Sequence, residues 1–272
     1  MLEVASAPLW YPRITVTTPT VIPVAALVLF TLAAACQRKS QEIKTEPTQA
    51  TEHEADSAEN PLPGLDHGLL QSPINILSKQ AESGHHQIAL NLHHADAEYL
   101  DNKGHTIELD FPSGSSITLD GREYELKQAH FHTPSEHQID GVTYPMELHV
   151  VNMIEPETPD DPPRYLVMAF LYRMGDEDPV ITSFLDQVPE EEGGEALEPG
   201  KVHISEAEMH TGTGDYYHYR GSLTTPPYTE TVDWLIQREI VEASPDQIRR
   251  IHRLEGDNAR HVQALYGRTV DD

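Results

Sequence analysis

The chain has 272 residues, 38% hydrophobic and 23% charged, enough for one large domain or two small ones with a sizeable core. Its 45 Asp and Glu against 18 Lys and Arg give a formal net charge of −27, which argues against nucleic acid or an anionic membrane surface as a partner, because both reward Lys and Arg. Cys36 is the one cysteine, so neither an internal disulfide nor a thiolate metal cluster can form, while sixteen histidines direct attention to an imidazole metal site. Residues 21–35, VIPVAALVLFTLAAA, form an uncharged apolar run, short for a membrane span but matched to the core of a secretory signal. Ala33 and Ala35 give a small-x-small cleavage pattern, and Cys36 follows where lipoproteins are lipidated. Residues 1–35 are therefore read as a signal peptide. The exported chain, periplasmic or extracellular, is either lipid-anchored through Cys36 or simply secreted, with an uncleaved anchor as the third possibility. Residues 36–60 carry almost no large apolar side chain and read as a flexible acidic tether, with His53 solvated in it.

From residue 61 to 272 the pattern is that of one mainly β (α+β) domain. Short alternating runs at 105–111, 116–119, 128–133, 147–153 and 165–172 read as strands. Turn signals separate them at Asn102-Lys103-Gly104, Pro112-Ser113-Gly114, Asp120-Gly121 and Asp140-Gly141. Helical periods are few. The best are 179–187 and 244–254, the second with Ser244 as N-cap and Pro245 at the first helical position. The acidic stretch 189–199, PEEEGGEALEP, reads as a solvated surface loop, since its carboxylates lack an EF-hand pattern.

A histidine constellation carries the chemistry. His130-Phe131-His132 lies on a strand, and period 2 puts both imidazoles on one face. Alone this means little, because about one H-x-H is expected by chance in so histidine-rich a chain. After the turn at Asp140-Gly141, an antiparallel return brings His149 beside the pair. Three neutral imidazoles with an open fourth position suit catalytic zinc. Gln128 and Glu147 each lie two residues before a candidate ligand, on its face, where an amide or carboxylate oxygen fixes the tautomer. The pairs His85-His86 and His93-His94 lack such neighbours in sequence and are read as surface residues.

Five motifs in order span the pattern: QSPINI at 71–76, NKGHT at 102–106, QAHFHTPSEH at 128–137, ELH at 147–149 and GSLTTPP at 221–227, with Asn258, Arg260 and Gln263 near the C-terminus. Together, over roughly residues 62–268, they resemble the α-carbonic anhydrases, and the compact HTPSEH turn resembles the bacterial branch most. The resemblance implies a single domain with a central, mostly antiparallel, twisted ten-stranded sheet, a few short peripheral helices and zinc at the base of a conical cleft. It implies reversible hydration of CO2 to bicarbonate. Zn2+ on His130, His132 and His149 would lower the pKa of a bound water to about 7, a value established on carbonic anhydrases themselves. Thr224 would accept the hydrogen of the resulting hydroxide and pass its own to an ionised, buried Glu136, and Thr225 would face the cleft.

Carbon dioxide is apolar, and the matching wall positions are Val151, Val167, Leu223, Val232 and Trp234. Val151 also shares the face of His149 by period 2. His105 matches the family's proton shuttle, since an imidazole titrates near pH 7. Asn102 would line the same water path, and Asn258 would support Glu147 or His149 from behind. Three departures stand out. Residues 59–70, ENPLPGLDHGLL, lack the aromatic residues that usually open the domain, Ala129 replaces a common phenylalanine, and Ala169 a common glycine. Two other functions fit the residues less well. A non-catalytic binding module on this fold typically lacks a zinc histidine, and all three are present here. A zinc hydrolase would want a base beside the metal water, as in H-E-x-x-H, and that motif is absent from the sequence. A homodimer is compatible with the sequence. The acidic surface suggests tolerance of high salt or high pH.

Overall fold

In the computed structural model the described residues are 68–93, 96–158, 161–197, 202 and 215–272, all inside one compact unit, Ser57–Asp272. The apolar run at 21–35, Cys36, the tether at 36–60 with His53, and His94 lie outside the described residues. No helix among the described residues is long and apolar enough to cross a membrane.

In chain order the elements are β1 (Asn75–Ile76), β2 (Ile88–Asn91), β3 (Tyr99–Asn102), β4 (Ile107–Asp110), β5 (Ser116–Leu119), β6 (Arg122–His132), β7 (Gln138–Ile139), β8 (Val142–Thr143), β9 (Met146–Ile154), β10 (Arg164–Met174), α1 (Pro179–Leu185), β11 (Glu195–Leu197), β12 (Tyr216–Gly221), β13 (Val232–Gln237), β14 (Val241–Ala243) and α2 (Pro245–Glu255). Eleven strands form one sheet, in the path β11-β3-β4-β6-β9-β10-β13-β12, with β14 on β10 and β2 reaching β6 through β5. That is close to the ten strands expected. Within this sheet β10 pairs in parallel with β13 and β14, and the other pairings are antiparallel.

Local chemistry explains these elements. Asp120-Gly121 and Asp140-Gly141 both have positive φ, 50° and 79° in the first pair, 51° and 79° in the second. These are the values a two-residue hairpin turn of matching twist requires, and Asp-Gly supplies them with little strain. Helix α2 begins with a full capping box: the Ser244 side chain takes the Gln247 amide, and the Gln247 side chain takes the Ser244 amide. Asp178 caps α1 with a single bond, its side chain accepting the amide of Ile181. The acidic stretch at 189–199 is not only a loop as expected. Its residues Glu195–Leu197 add a short strand to the sheet edge beside β3.

The sheet separates two apolar clusters. Met146, Leu148, Val150 and Ile154 of β9 face the larger cluster with Leu166, Met168 and Phe170 of β10. Phe184 of α1 and Ile251 of α2 cover that face. Val151, Val167, Ala169, Tyr219, Val232 and Trp234 face the smaller cluster on the other side. Strand β6 serves both faces only because it is bulged. Tyr124 and Leu126 point into the larger cluster at even positions, Ala129 and Phe131 at odd ones. The register against β9 shifts between Leu126 and Gln128, so Lys127 is the extra residue. The bulge lets both halves of the strand bury their apolar side chains and leaves Gln128, His130 and His132 on the opposite face.

Candidate metal centre

Two rows of side chains cross the sheet on that opposite face. The register places His130 against His149, His149 against Ala169, and Ala169 against Ile236. The neighbouring row runs Gln128, Val151, Val167, Trp234 and Tyr219. Small Ala169 beside His149 leaves room for the ring, and Trp234 closes on it edge to face at 4.9 Å. The three imidazoles converge, with ring centroids 4.9 Å apart for His130–His132, 5.2 Å for His130–His149 and 4.6 Å for His132–His149.

Hydrogen bonds decide which nitrogens remain open. His130 Nδ1 bonds Gln128 Oε1 at 2.8 Å, leaving Nε2 for the centre. His149 Nε2 bonds Glu147 Oε1 at 2.8 Å, leaving Nδ1. His130 Nε2 and His132 Nε2 lie 3.1 Å apart. Two bare nitrogens do not hold each other at that distance without a proton or a cation between them. Tetrahedral zinc with bonds of about 2.0–2.1 Å would set neighbouring ligands about 3.3 Å apart, so the donor set fits the ion. One candidate donor atom from each histidine lies within 4.8 Å of the other two.

The charge environment agrees. Burial, and then its neighbours His132 and His149, hold the His130 pKa well below the usual imidazole value. Burial, followed by His149, pushes His132 down to about 3. His130 and His132 are therefore held in the neutral form that metal binding demands. Burial opposes the charge of Glu147, but His137 and His149 outweigh it and keep the carboxylate well below its ordinary range. The Glu136 and His137 amides both donate to Glu147 Oε2 at 2.8 Å, so the compact turn after His132 grips the carboxylate that orients His149.

Glu136 is buried, and burial raises its pKa; the Arg260 amide, donating to Oε1 at 2.9 Å, and the Thr224 hydroxyl pull the other way. Its second oxygen, Oε2, is buried without a hydrogen bond and lies 3.6 Å from His132 Nε2. Thr224 is itself buried, on the loop between β12 and β13, while Thr225 beside it is exposed. That loop is fixed by Ser222, whose amide donates to Ser72 Oγ at 3.1 Å and whose carbonyl accepts the Trp234 indole at 3.1 Å. Val151, Val167, Val232 and Trp234 belong to the smaller apolar cluster beside His149, with Leu223 packed against it.

His105 is exposed, its Nδ1 3.0 Å from the Lys103 carbonyl, and near enough to His130 for its charge to disfavour protonation there.

Two expectations need correction. Asn258 does not touch Glu147 or His149. Its side chain accepts the Thr133 amide at 2.9 Å and donates to the His105 and Phe131 carbonyls at 2.8 and 3.0 Å. Its own carbonyl favours protonation of His132, whose Nδ1 otherwise lacks a hydrogen bond. Asn258 therefore backs the strand end that carries His132. Asn102 is buried, and its side chain frames the turn that bears His105, through the Pro189 carbonyl at 2.8 Å and the Gly104 amide at 2.9 Å. It is not a free group on a water path.

Sequence reasoning also passed over one part of the support. His137 Nδ1 bonds Glu147 Oε1 at 2.6 Å, its Nε2 meets Tyr219 Oη at 2.6 Å, and Tyr219 donates to Ser72 Oγ at 2.9 Å. This buried chain joins Glu147 to the Ser222 loop. Its members come from four separate segments, so no local spacing marks it in the sequence.

Comparison with known proteins settles the family. The model of the family described as eukaryotic-type carbonic anhydrase matches residues 59–272. The chain belongs to the α-carbonic anhydrase family. A carbonic anhydrase of Neisseria gonorrhoeae is 35% identical over 209 residues, covering 75% of this chain and 77% of that protein. Carbonic anhydrase Nec1 of Nesocodon mauritianus is 34% identical, covering 75% and 74%. Among solved structures, the α-carbonic anhydrase of Thermovibrio ammonificans in complex with the inhibitor sulfanilamide has a TM-score of 0.67 at 35% identity, covering 75% of this chain and 87% of that one. The chain is thus an enzyme of the carbonic anhydrase family, whose reaction is the hydration of CO2.

Proposed function

We propose that this carbonic anhydrase works with Zn2+ held by His130 Nε2, His132 Nε2 and His149 Nδ1. The observation that carries the reading is the pairing of Gln128 with His130 and Glu147 with His149, which turns one bare nitrogen of each ring inward. The bound ion would supply Lewis acidity to a water molecule, bringing its pKa toward neutrality. The protein's own groups do the rest. Thr224 accepts a hydrogen bond from that water's oxygen and donates to the open Oε2 of Glu136, which fixes where the oxygen lone pair points. The apolar wall of Val151, Val167, Leu223, Val232 and Trp234 offers CO2 a dry surface beside His149 and excludes water that would compete. His105, on the exposed turn framed by Asn102, takes the proton released at each turnover and hands it to buffer.

Stopped-flow CO2 hydration tests this division of labour. His105→Ala should lower kcat by up to about 100-fold while leaving kcat/KM nearly unchanged, and added imidazole should restore much of the loss. Thr224→Ala should lower kcat/KM itself, with no rescue by imidazole. Rescue of both variants, or of neither, would contradict the assignment. Sulfanilamide should inhibit the wild type with the zinc retained.

A further inference from the structure

His86, expected to be an idle surface residue, has two carboxylate partners. Its Nδ1 lies 2.6 Å from Asp120 Oδ2, and its Nε2 lies 3.3 Å from Asp271 Oδ1. His218 repeats the arrangement. Its Nδ1 lies 3.1 Å from the same Asp271 Oδ1, and its Nε2 lies 3.3 Å from Asp233 Oδ1. The two rings stand 4.1 Å apart, centroid to centroid. Each imidazole therefore has an outer nitrogen held by an aspartate and an inner one aimed at a shared third carboxylate.

We propose that His86, His218 and Asp271 form a second metal site, for a borderline divalent cation of the Zn2+ class. The outer aspartates give each ring the tautomer that bares its inner nitrogen, the same device that orients ligands at a known metal centre. Asp120 is itself fixed, its Oδ1 taking the Gln87 amide at 2.8 Å. Asp233 is fixed by the Tyr124 hydroxyl at 3.2 Å. The inner contacts, 3.3 and 3.1 Å, match the spacing of about 3.3 Å between ligands of a tetrahedral zinc ion. Two imidazoles and one carboxylate select an ion of intermediate softness over Ca2+ or Mg2+. Side-chain exposures of 24% for His86, 11% for His218 and 27% for Asp271 leave a way in from solvent and a fourth position for water.

The site is separate from the catalytic one. His218 alternates with Tyr217 and Tyr219 on β12, and those two tyrosines join the apolar cluster beside His149. His218 consequently lies on the opposite face of the sheet. Its three ligands come from three places: the loop before β2, the edge strand β12 and the C-terminal residues. The last are stitched in by backbone bonds between Asp271 and His218 at 2.8 and 3.0 Å, and from Asp272 to Glu82 at 2.9 Å. A bound ion would clamp the C-terminus to the sheet edge.

Metal content of the full-length protein, stripped by chelator and equilibrated with micromolar Zn2+, is the test. About two zinc ions per chain are expected in the wild type, with the second raising the thermal midpoint. His86→Ala and Asp271→Asn should each leave about one zinc per chain and wild-type CO2 hydration. His149→Ala should also retain about one, now without activity. A wild type that saturates at one zinc, lost in His149→Ala, would overturn the proposal without any variant having to fold. So would a second zinc that persists undiminished in both His86→Ala and Asp271→Asn.

Discussion

Glu255, the last residue of α2, is buried, and burial pushes its pKa up to about 8. Its neighbour fits a protonated carboxyl. Thr133 Oγ1 lies 3.1 Å from Glu255 Oε1 and 2.9 Å from the Gly256 carbonyl, and one hydroxyl hydrogen cannot serve both. A protonated Glu255 can donate to Thr133 while Thr133 donates to the Gly256 carbonyl. Because the folded pKa exceeds the unfolded value near 4.5, the folded state holds the extra proton between about pH 4.5 and 8. The stabilisation is complete below that window and is lost as pH rises through it. At about 1.4 kcal/mol per pKa unit the loss is of the order of several kcal/mol. Glu255→Gln should flatten the pH dependence of the thermal midpoint and leave the variant more stable than wild type near pH 9. Parallel curves for the two proteins would contradict the assignment. At this scale the convergence of His130, His132 and His149 was readable in the sequence, because they and their supports sit at period-2 spacing on two strands. The surroundings of His86, Asn258 and His137 were not, since each meets residues brought up from distant segments.

Among elements, β6 matters most. Its apolar positions change phase at Lys127, and the bulge absorbs that change. Only one extra residue can be taken up without turning the histidines into the larger cluster. A single alanine inserted between Ala129 and His130 should therefore abolish zinc binding and destabilise the sheet. Retention of stoichiometric zinc by a folded insertion variant would show that the strand end can slip. Both helices and both Asp-Gly hairpins were readable from local chemistry, because caps and positive-φ turns are written in adjacent residues. Strand β11 was hidden in a charged segment whose pairing with β3 depends on a partner nearly a hundred residues earlier in the chain.

For the whole molecule, the sheet works as a partition. Helices and the larger cluster cover one face, while the three convergent histidines and the smaller apolar cluster occupy the other. The mainly β class followed from alternating runs, and the sheet type from the family resemblance carried by the motifs. The strand path and the parallel return of β13 along β10 did not, because long-range pairing leaves no local mark in sequence. The formal charge of −27 comes from 45 acidic against 18 basic side chains, and it repels itself. Screening within about 3 Å at 1 M salt should relieve that repulsion and leave the buried site untouched. Hydration activity and thermal midpoint are thus expected to persist in about 2–3 M NaCl, and collapse of either would count against this reading.

The most direct test of the central claim pairs stopped-flow CO2 hydration with zinc determination on the same samples of wild type and His149→Ala. To keep the catalytic ion distinct, both are prepared with His86→Ala in the background. The account predicts about one zinc per chain and fast hydration with His149 present, and loss of the zinc with at least a roughly thousandfold fall in rate without it. Fast hydration that survives the loss of His149, or a zinc-free protein that still turns over, would contradict the three-histidine centre.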